Sequence, residues 1–197
     1  MLYTRKGDKG TTKTYGCDQR ISKSSAVAEA LGSLDEVNSF LGIVKVKAFA
    51  ANEAAGEKFQ INGRSFGDIV HGVQQTLFMV QAEVAGFPMQ MTEAKVLEAE
   101  TLTDAAEKIL PPIKTFFISG GTELAASFDV ARTLARRAER RVVAVAEGEV
   151  GEENASPARR ASPVTLAYLN RLSSLLYALA RLSNHLSGIK EESPAYK

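Results

Sequence analysis

The chain carries one cysteine, Cys17, among 197 residues, so no disulfide can close within it. A cationic start followed by an apolar run, the mark of a secretory signal, is also missing, and a cytoplasmic location is expected. No apolar stretch approaches the roughly 18 residues that cross a bilayer. Even the run from Leu172 to Leu182 is broken by Ser173, Ser174 and Arg181, so no membrane partner is expected. A surplus of charge is absent too: 24 Lys and Arg stand against 23 Asp and Glu. A nucleic-acid binder usually carries a basic excess, and that class is disfavoured here. Histidine is scarce. His71 and His185 are the only two, and neither occurs in the Glu-x-x-His spacing of di-iron bundles. With no second thiol beside Cys17, neither a protein-ligated metal centre nor a cysteine nucleophile is expected.

What is present is apolar content of 45% against 24% charged residues, enough for one substantial core, and a single domain over residues 1–197 is expected. From near Ser24 the residues Ala28, Leu31, Leu34, Val37, Leu41 and Val44 recur at three- and four-residue steps, which predicts a helix fading between Ala51 and Gly63. Ile69, Val73, Leu77, Val80 and Val84 mark a second helix from about Ser65 to Ala85, stopped by Gly86-Phe87-Pro88. A third covers Glu93 to Leu110 and ends at Pro111-Pro112. After a connector with a short apolar run at Thr115 to Ile118, a fourth covers Thr122 to Glu147 and a fifth Pro163 to Ser187. Strand-like alternation is not evident. The fold class expected is all-α, a five-helix bundle with ferritin-like up-down packing.

The densest chemistry lies in the fourth helix. Arg132 to Arg141 holds five arginines and one glutamate in ten residues. At 100° per residue, Arg132, Arg136, Glu139 and Arg140 share a face beside the stripe of Leu134, Ala138, Val142 and Val145, while Arg137 and Arg141 point elsewhere. Forked guanidiniums at this spacing suit a phosphate chain, although a solvated basic face has the same pattern. The run Thr4-Arg5-Lys6-Gly7-Asp8-Lys9-Gly10-Thr11-Thr12 contains the parts of an anion cradle or of a flexible polar terminus. It is not a Walker A loop, whose spacing and preceding strand are both missing. Lys23 adds a charge just before the first helix. Asp35, beside the first apolar stripe, is either solvated or a partner for a cation such as Arg132. Asn170, Ser173, Ser174, Tyr177, Arg181 and Asn184 form a polar strip along the leucine face of the last helix.

Five segments in this order resemble the ATP:cob(I)alamin adenosyltransferases of the propanediol-utilisation type. They are Tyr3 to Thr12, Ala30 to Ser39, Phe117-Ile118-Ser119-Gly120-Gly121, Arg132 to Arg140, and Tyr168 to Ser173. The resemblance runs nearly end to end. It implies a homotrimer with active sites between subunits and an ATP-binding loop at residues 1–22; the short tail after the last helix, 188–197, is expected to be mobile. Thr4, Arg5, Lys6, Gly7, Thr12, Lys13, Lys23, Arg136, Arg137, Glu139, Arg140 and Asn170 match nucleotide-site positions. Asp35 and Arg132 would pair across the interface, and Phe116 would stand against the corrinoid. Arg136, Arg132, Asp35 and Glu139 are the residues on which catalysis is expected to depend.

The implied reaction moves the 5′-deoxyadenosyl group of ATP, with Mg²⁺, to Co(I) of a reduced corrinoid and releases triphosphate. The non-catalytic alternative is a carrier of corrinoid or nucleotide with the same fold. A corrinoid reductase or an adenosylcobalamin-dependent enzyme would be the natural protein partner. Two positions depart from the family pattern: Ser119 replaces a frequent Pro and Ser174 a frequent Asp, changes that bear on substrate affinity more than on reaction class.

Overall fold

In a computed structural model, residues 2–14, 20–148 and 161–196 are described; Cys17 and most of the loop expected between Gly148 and Ser162 lie outside them. The helices are α1 (Ala26–Ala54), α2 (Phe66–Val84), α3 (Glu93–Glu107), α4 (Glu123–Glu147) and α5 (Pro163–Leu186). Four begin on a hydroxyl cap. Ser25, Ser65, Thr122 and Ser162 accept from the backbone N–H three residues on, at 3.1–3.3 Å, satisfying a donor that the first turn leaves unpaired.

The centre of the bundle is α4, held between α1 and α5, while α2 packs on α1 and α3 on α5. Two neighbours can crowd one helix because its inward residues are small: Ala131, Ala135 and Ala138 are buried. Phe128 supplies bulk where α2 approaches, its ring edge-on to Phe66 at 6.2 Å. Lys47 pairs with Glu123, Glu36 with Arg137 and Glu29 with Arg141, so numbers rise along α1 as they fall along α4 and the two are antiparallel.

The expectation of no strand pairing needs correcting at two places. Thr11–Thr12 (β1) pairs antiparallel with Ile21–Ser22 (β2), and Gln60–Ile61 (β3) with Arg64–Ser65 (β4). The second hairpin turns through Asn62 and Gly63, both at positive φ (49° and 72°), the two-residue turn that Asn-Gly favours. Each strand has two residues, and five helices still carry the fold.

Polar groups tie the elements at both ends of the bundle. Buried Glu83, near the end of α2, accepts from the Met91 N–H at 3.0 Å, the Ser162 N–H at 2.6 Å and the Thr165 hydroxyl at 3.0 Å. It thus joins the α2 end, the approach to α3 and the start of α5. Elsewhere, the Asn184 amide on α5 accepts from the Thr122 N–H at 2.9 Å and donates to the Gly120 carbonyl at 2.8 Å, clamping the turn that launches α4.

Gly121 within that turn has φ +93°, and a Cβ there would stand 2.4 Å from Asn184 Oδ1. Gly121→Ala is expected to lower stability by about 2–4 kcal/mol, combining left-handed strain with loss of the clamp. Denaturant unfolding measures this, and an unmoved midpoint would contradict it.

The tail expected to be mobile is tied down at two residues. Glu191 pairs with buried Arg181, and the Ile118 N–H donates to the Glu192 carbonyl at 2.8 Å.

Candidate functional site

A cleft of about 660 Å³ opens between α4, α5 and the connector that precedes α4. The connector contributes Phe116, Phe117 and Ile118; α4 contributes Asp129, Arg132 and Arg136; α5 contributes Ser173, Ser174, Tyr177 and Arg181. Phe116 is 78% exposed, an aromatic ring held at the cleft with its surface bare. Arg132 Nε donates to Asp129 at 3.2 Å and its guanidinium lies 5.7 Å from the Tyr177 ring centroid. Burial raises the pKa of the Tyr177 phenol; Arg181 and Arg132 oppose that rise while Glu191 and Asp129 add to it. The phenol therefore stays protonated at neutral pH and can donate a hydrogen bond into the cleft.

A second recess of about 390 Å³ lies one helical turn further along α4, lined by Arg136, Glu139, Arg140, Val143, Ala144, Glu147 and Asn170. Glu139 accepts from the Asn170 amide at 3.0 Å, and Arg140 donates to the Arg136 carbonyl at 3.0 Å. Arg136 lines both hollows. An aromatic cleft and a recess that offers two guanidiniums, Arg136 and Arg140, beside two carboxylates, Glu139 and Glu147, therefore meet at Arg136.

The arginine run divides by what each member faces. Arg137 and Arg141 pair with Glu36 and Glu29 of α1, on another side of α4. Arg137, expected among the nucleotide contacts, is committed to Glu36 within this chain. Arg132 finds its carboxylate at Asp129, and Asp35 is exposed with no cation of its own chain paired to it among the described residues. Helical geometry had separated Arg137 and Arg141 from the others. Their partners depend on the α1–α4 register, which no local pattern encodes.

The amino-terminal residues form a knit hairpin. Arg20 donates from Nε to the Thr11 hydroxyl at 2.8 Å, and from Nη2 to the Thr11 and Lys6 carbonyls at 2.7 and 2.5 Å. The Lys23 N–H donates to the Gly10 carbonyl at 2.9 Å, and the Lys23 side chain lies over Gly7, with Nζ 3.2 Å from where a Cβ would stand. Thr4 accepts from the Lys6 N–H at 3.4 Å; Arg5, at φ 58°, stacks its guanidinium 5.5 Å from the Tyr3 ring; Thr12 pairs with Ile21. Thr4, Arg5, Lys6, Gly7, Thr12 and Lys23 thus belong to one local unit, and among the described residues neither they nor Lys13 line either hollow around Arg136.

Sequence reasoning missed Arg20 and Glu191, and placed Arg181 in the polar strip of the last helix without its partner. Arg20 left a faint signal, a cation in a Gly- and Thr-rich segment, while Glu191 stood in a stretch without periodicity.

The model of the cobalamin adenosyltransferase family matches residues 2–183. The chain is 36% identical over 195 residues to a corrinoid adenosyltransferase of Bacillus subtilis, covering 95% of this chain and 89% of the relative. It is 37% identical over 187 residues to the corrinoid adenosyltransferase PduO of Salmonella typhimurium, covering 91% of this chain and 48% of that one, so it spans about half of that longer relative. The solved structure of a variant PduO-type ATP:corrinoid adenosyltransferase from Lactobacillus reuteri, complexed with cobalamin and ATP, matches with a TM-score of 0.80 at 28% identity. That match covers 98% of this chain and 96% of the other.

Proposed function

Because this chain belongs to the cobalamin adenosyltransferase family, we propose that it transfers the 5′-deoxyadenosyl group of ATP to Co(I) of a reduced corrinoid, giving adenosylcobalamin and triphosphate. The observation that carries the site assignment is Arg136, shared by an aromatic cleft and the recess that also holds Arg140. The macrocycle lies in the first, the triphosphate in the second, and C5′ at their junction.

The chemistry asks little covalent work of the protein. The Co(I) electron pair forms the Co–C5′ bond, the C5′–O bond breaks, and triphosphate leaves with that pair. The leaving group gains negative charge, so donors aimed at it lower the barrier; Arg136 and Arg140 lie where they answer it. Glu139, held by Asn170, orients the polar rim of the recess. Mg²⁺ would accompany the nucleotide, and the carboxylates of Glu139 and Glu147, which line the recess, would accept hydrogen bonds from its coordinated waters. When bound, the ion neutralises phosphate charge. Phe116 presents its bare ring to one face of the corrin and keeps water from it.

The working form we propose is a homotrimer in which Thr4, Arg5, Lys6, Gly7, Thr12, Lys13 and Lys23 of one copy close over Arg136, Glu139, Arg140 and Asn170 of its neighbour. Residues 1–22 are then the nucleotide loop of a single-domain protein. Two facts support this: among the described residues the loop lines neither hollow around Arg136, and α1 exposes Ile43 and Val46 at 52% and 67% on the same helix as Asp35, which has no ion-pair partner among the described residues. In such an assembly Asp35 is free to meet Arg132 of a neighbour, which would share it with Asp129.

Mixing copies tests the arrangement. Lys6→Ala and Arg136→Ala proteins, each nearly inactive alone, should recover about a quarter of wild-type activity when co-assembled in equal amounts, because that share of interfaces pairs an intact loop with an intact arginine. No recovery from verified mixed oligomers would place each site within one chain. The reaction itself is tested by following loss of Co(I) absorbance anaerobically with Mg-ATP and chemically reduced cobalamin, where a mere carrier would give no turnover.

A further inference from the structure

Arg181 is 5% exposed, an unusual position for a guanidinium, and among the described residues its hydrogen bonds and ring contact lead to segments outside the helices. Its Nε donates to both Glu191 oxygens at 3.0 Å, and its Nη2 to Glu191 Oε2 at 2.8 Å and to the Pro111 carbonyl at 3.2 Å. The Phe117 ring centroid lies 5.0 Å from its Cζ. The next residue of the tail, Glu192, accepts the Ile118 N–H. The connector is thus gripped at Pro111, Phe117 and Ile118, on both sides of Phe116, by one arginine of α5 and by a tail that this arginine holds. Glu191 and Arg181 also line the cleft itself.

The geometry points to Arg181 and Glu191 as positioning residues for the corrinoid: together they form a latch that closes the C-terminal tail against the connector and so sets where Phe116 stands. This rests on the corrinoid reading of the cleft. The nucleotide recess shares neither latch residue, nor any connector residue, and its function should be indifferent to the latch. The five helices end before Glu191, and a substitution there leaves their packing untouched.

Two measurements on the full-length protein decide it. Glu191→Gln keeps the shape but removes the charge that draws a forked donor; it should raise the KM for reduced cobalamin about tenfold and leave the KM for ATP within about twofold. Glu191→Asp should recover most of the loss, and Arg181→Lys, which cannot form the forked pair, should behave like Glu191→Gln. An unchanged cobalamin KM, or an equal rise for both substrates, would overturn the proposal. Amide exchange is independent of turnover: Glu191→Gln should speed exchange at Ile118 while Thr122, held by Asn184, keeps its protection. Unaltered protection at Ile118 would remove the latch even if the enzyme were fully active. If wild-type protein transferred no adenosyl group, the reading of function would fall, and exchange would still decide whether the latch exists.

Discussion

Arg136→Ala is expected to lower kcat for adenosyl transfer by roughly 10²–10³-fold, the size of effect seen when one preorganised donor to a developing negative charge is removed. The expectation follows from position. Among the described residues Arg136 alone lines both the aromatic cleft and the recess with Arg140, and in the proposed arrangement C5′ parts from the triphosphate at that junction. It is exposed and makes no ion pair among the described residues, so its loss leaves the bundle intact. Arg137 supplies the control one residue along. Its charge is spent on Glu36, and with both side chains about half exposed, Arg137→Ala should cost stability about 0–1 kcal/mol and turnover much less than Arg136→Ala. Steady-state rates for the two variants, with circular dichroism to confirm folding, make the comparison. Equal losses would mean that the recess is not where the leaving group lies.

The largest effect on stability is expected at Glu83. Replacing it with Ala strips the acceptor from the Met91 N–H, the Ser162 N–H and the Thr165 hydroxyl at once, in a buried place where water cannot substitute. Leaving three donors unpaired should cost about 3–5 kcal/mol or more, a large fraction of the total for a domain of this size. Glu83→Gln should cost less. One of its two acceptor positions becomes an NH₂ that can no longer receive all three donors, at about 1–3 kcal/mol. Urea unfolding at neutral pH orders the pair, and an Ala variant as stable as wild type would show that the three donors find other acceptors.

Much of the fold was legible because burial on a helix repeats every three to four residues. The stripe from Leu34 to Val44 and that from Leu169 to Leu179 are almost fully buried, and all five helices fall within a few residues of their expected ends. The β3–β4 hairpin was legible in principle from Asn62-Gly63, but its two-residue strands are too short for an alternating pattern. What escaped has one cause. Glu83 reaching residue 165, Arg181 reaching residue 191 and Arg137 reaching residue 36 are contacts whose partners depend on how helices register or how the tail folds back on them. Local spacing says that a charged residue is displaced from the apolar stripe, never which residue meets it. The candidate site was accordingly legible only as sets of residues: the arginine face, the loop, the connector aromatic. Their division into cleft, recess and structural pairs came only from the packing of α4 between α1 and α5.

The central claim is that this chain breaks the C5′–O bond of ATP and leaves the phosphate chain whole. Anaerobic incubation with Mg-ATP and reduced cobalamin, followed by separation of the phosphorus products, tests it directly. One triphosphate for each adenosylcobalamin formed is the expected result. Orthophosphate or diphosphate as the primary product, or no adenosylcobalamin while Co(I) persists, would contradict it.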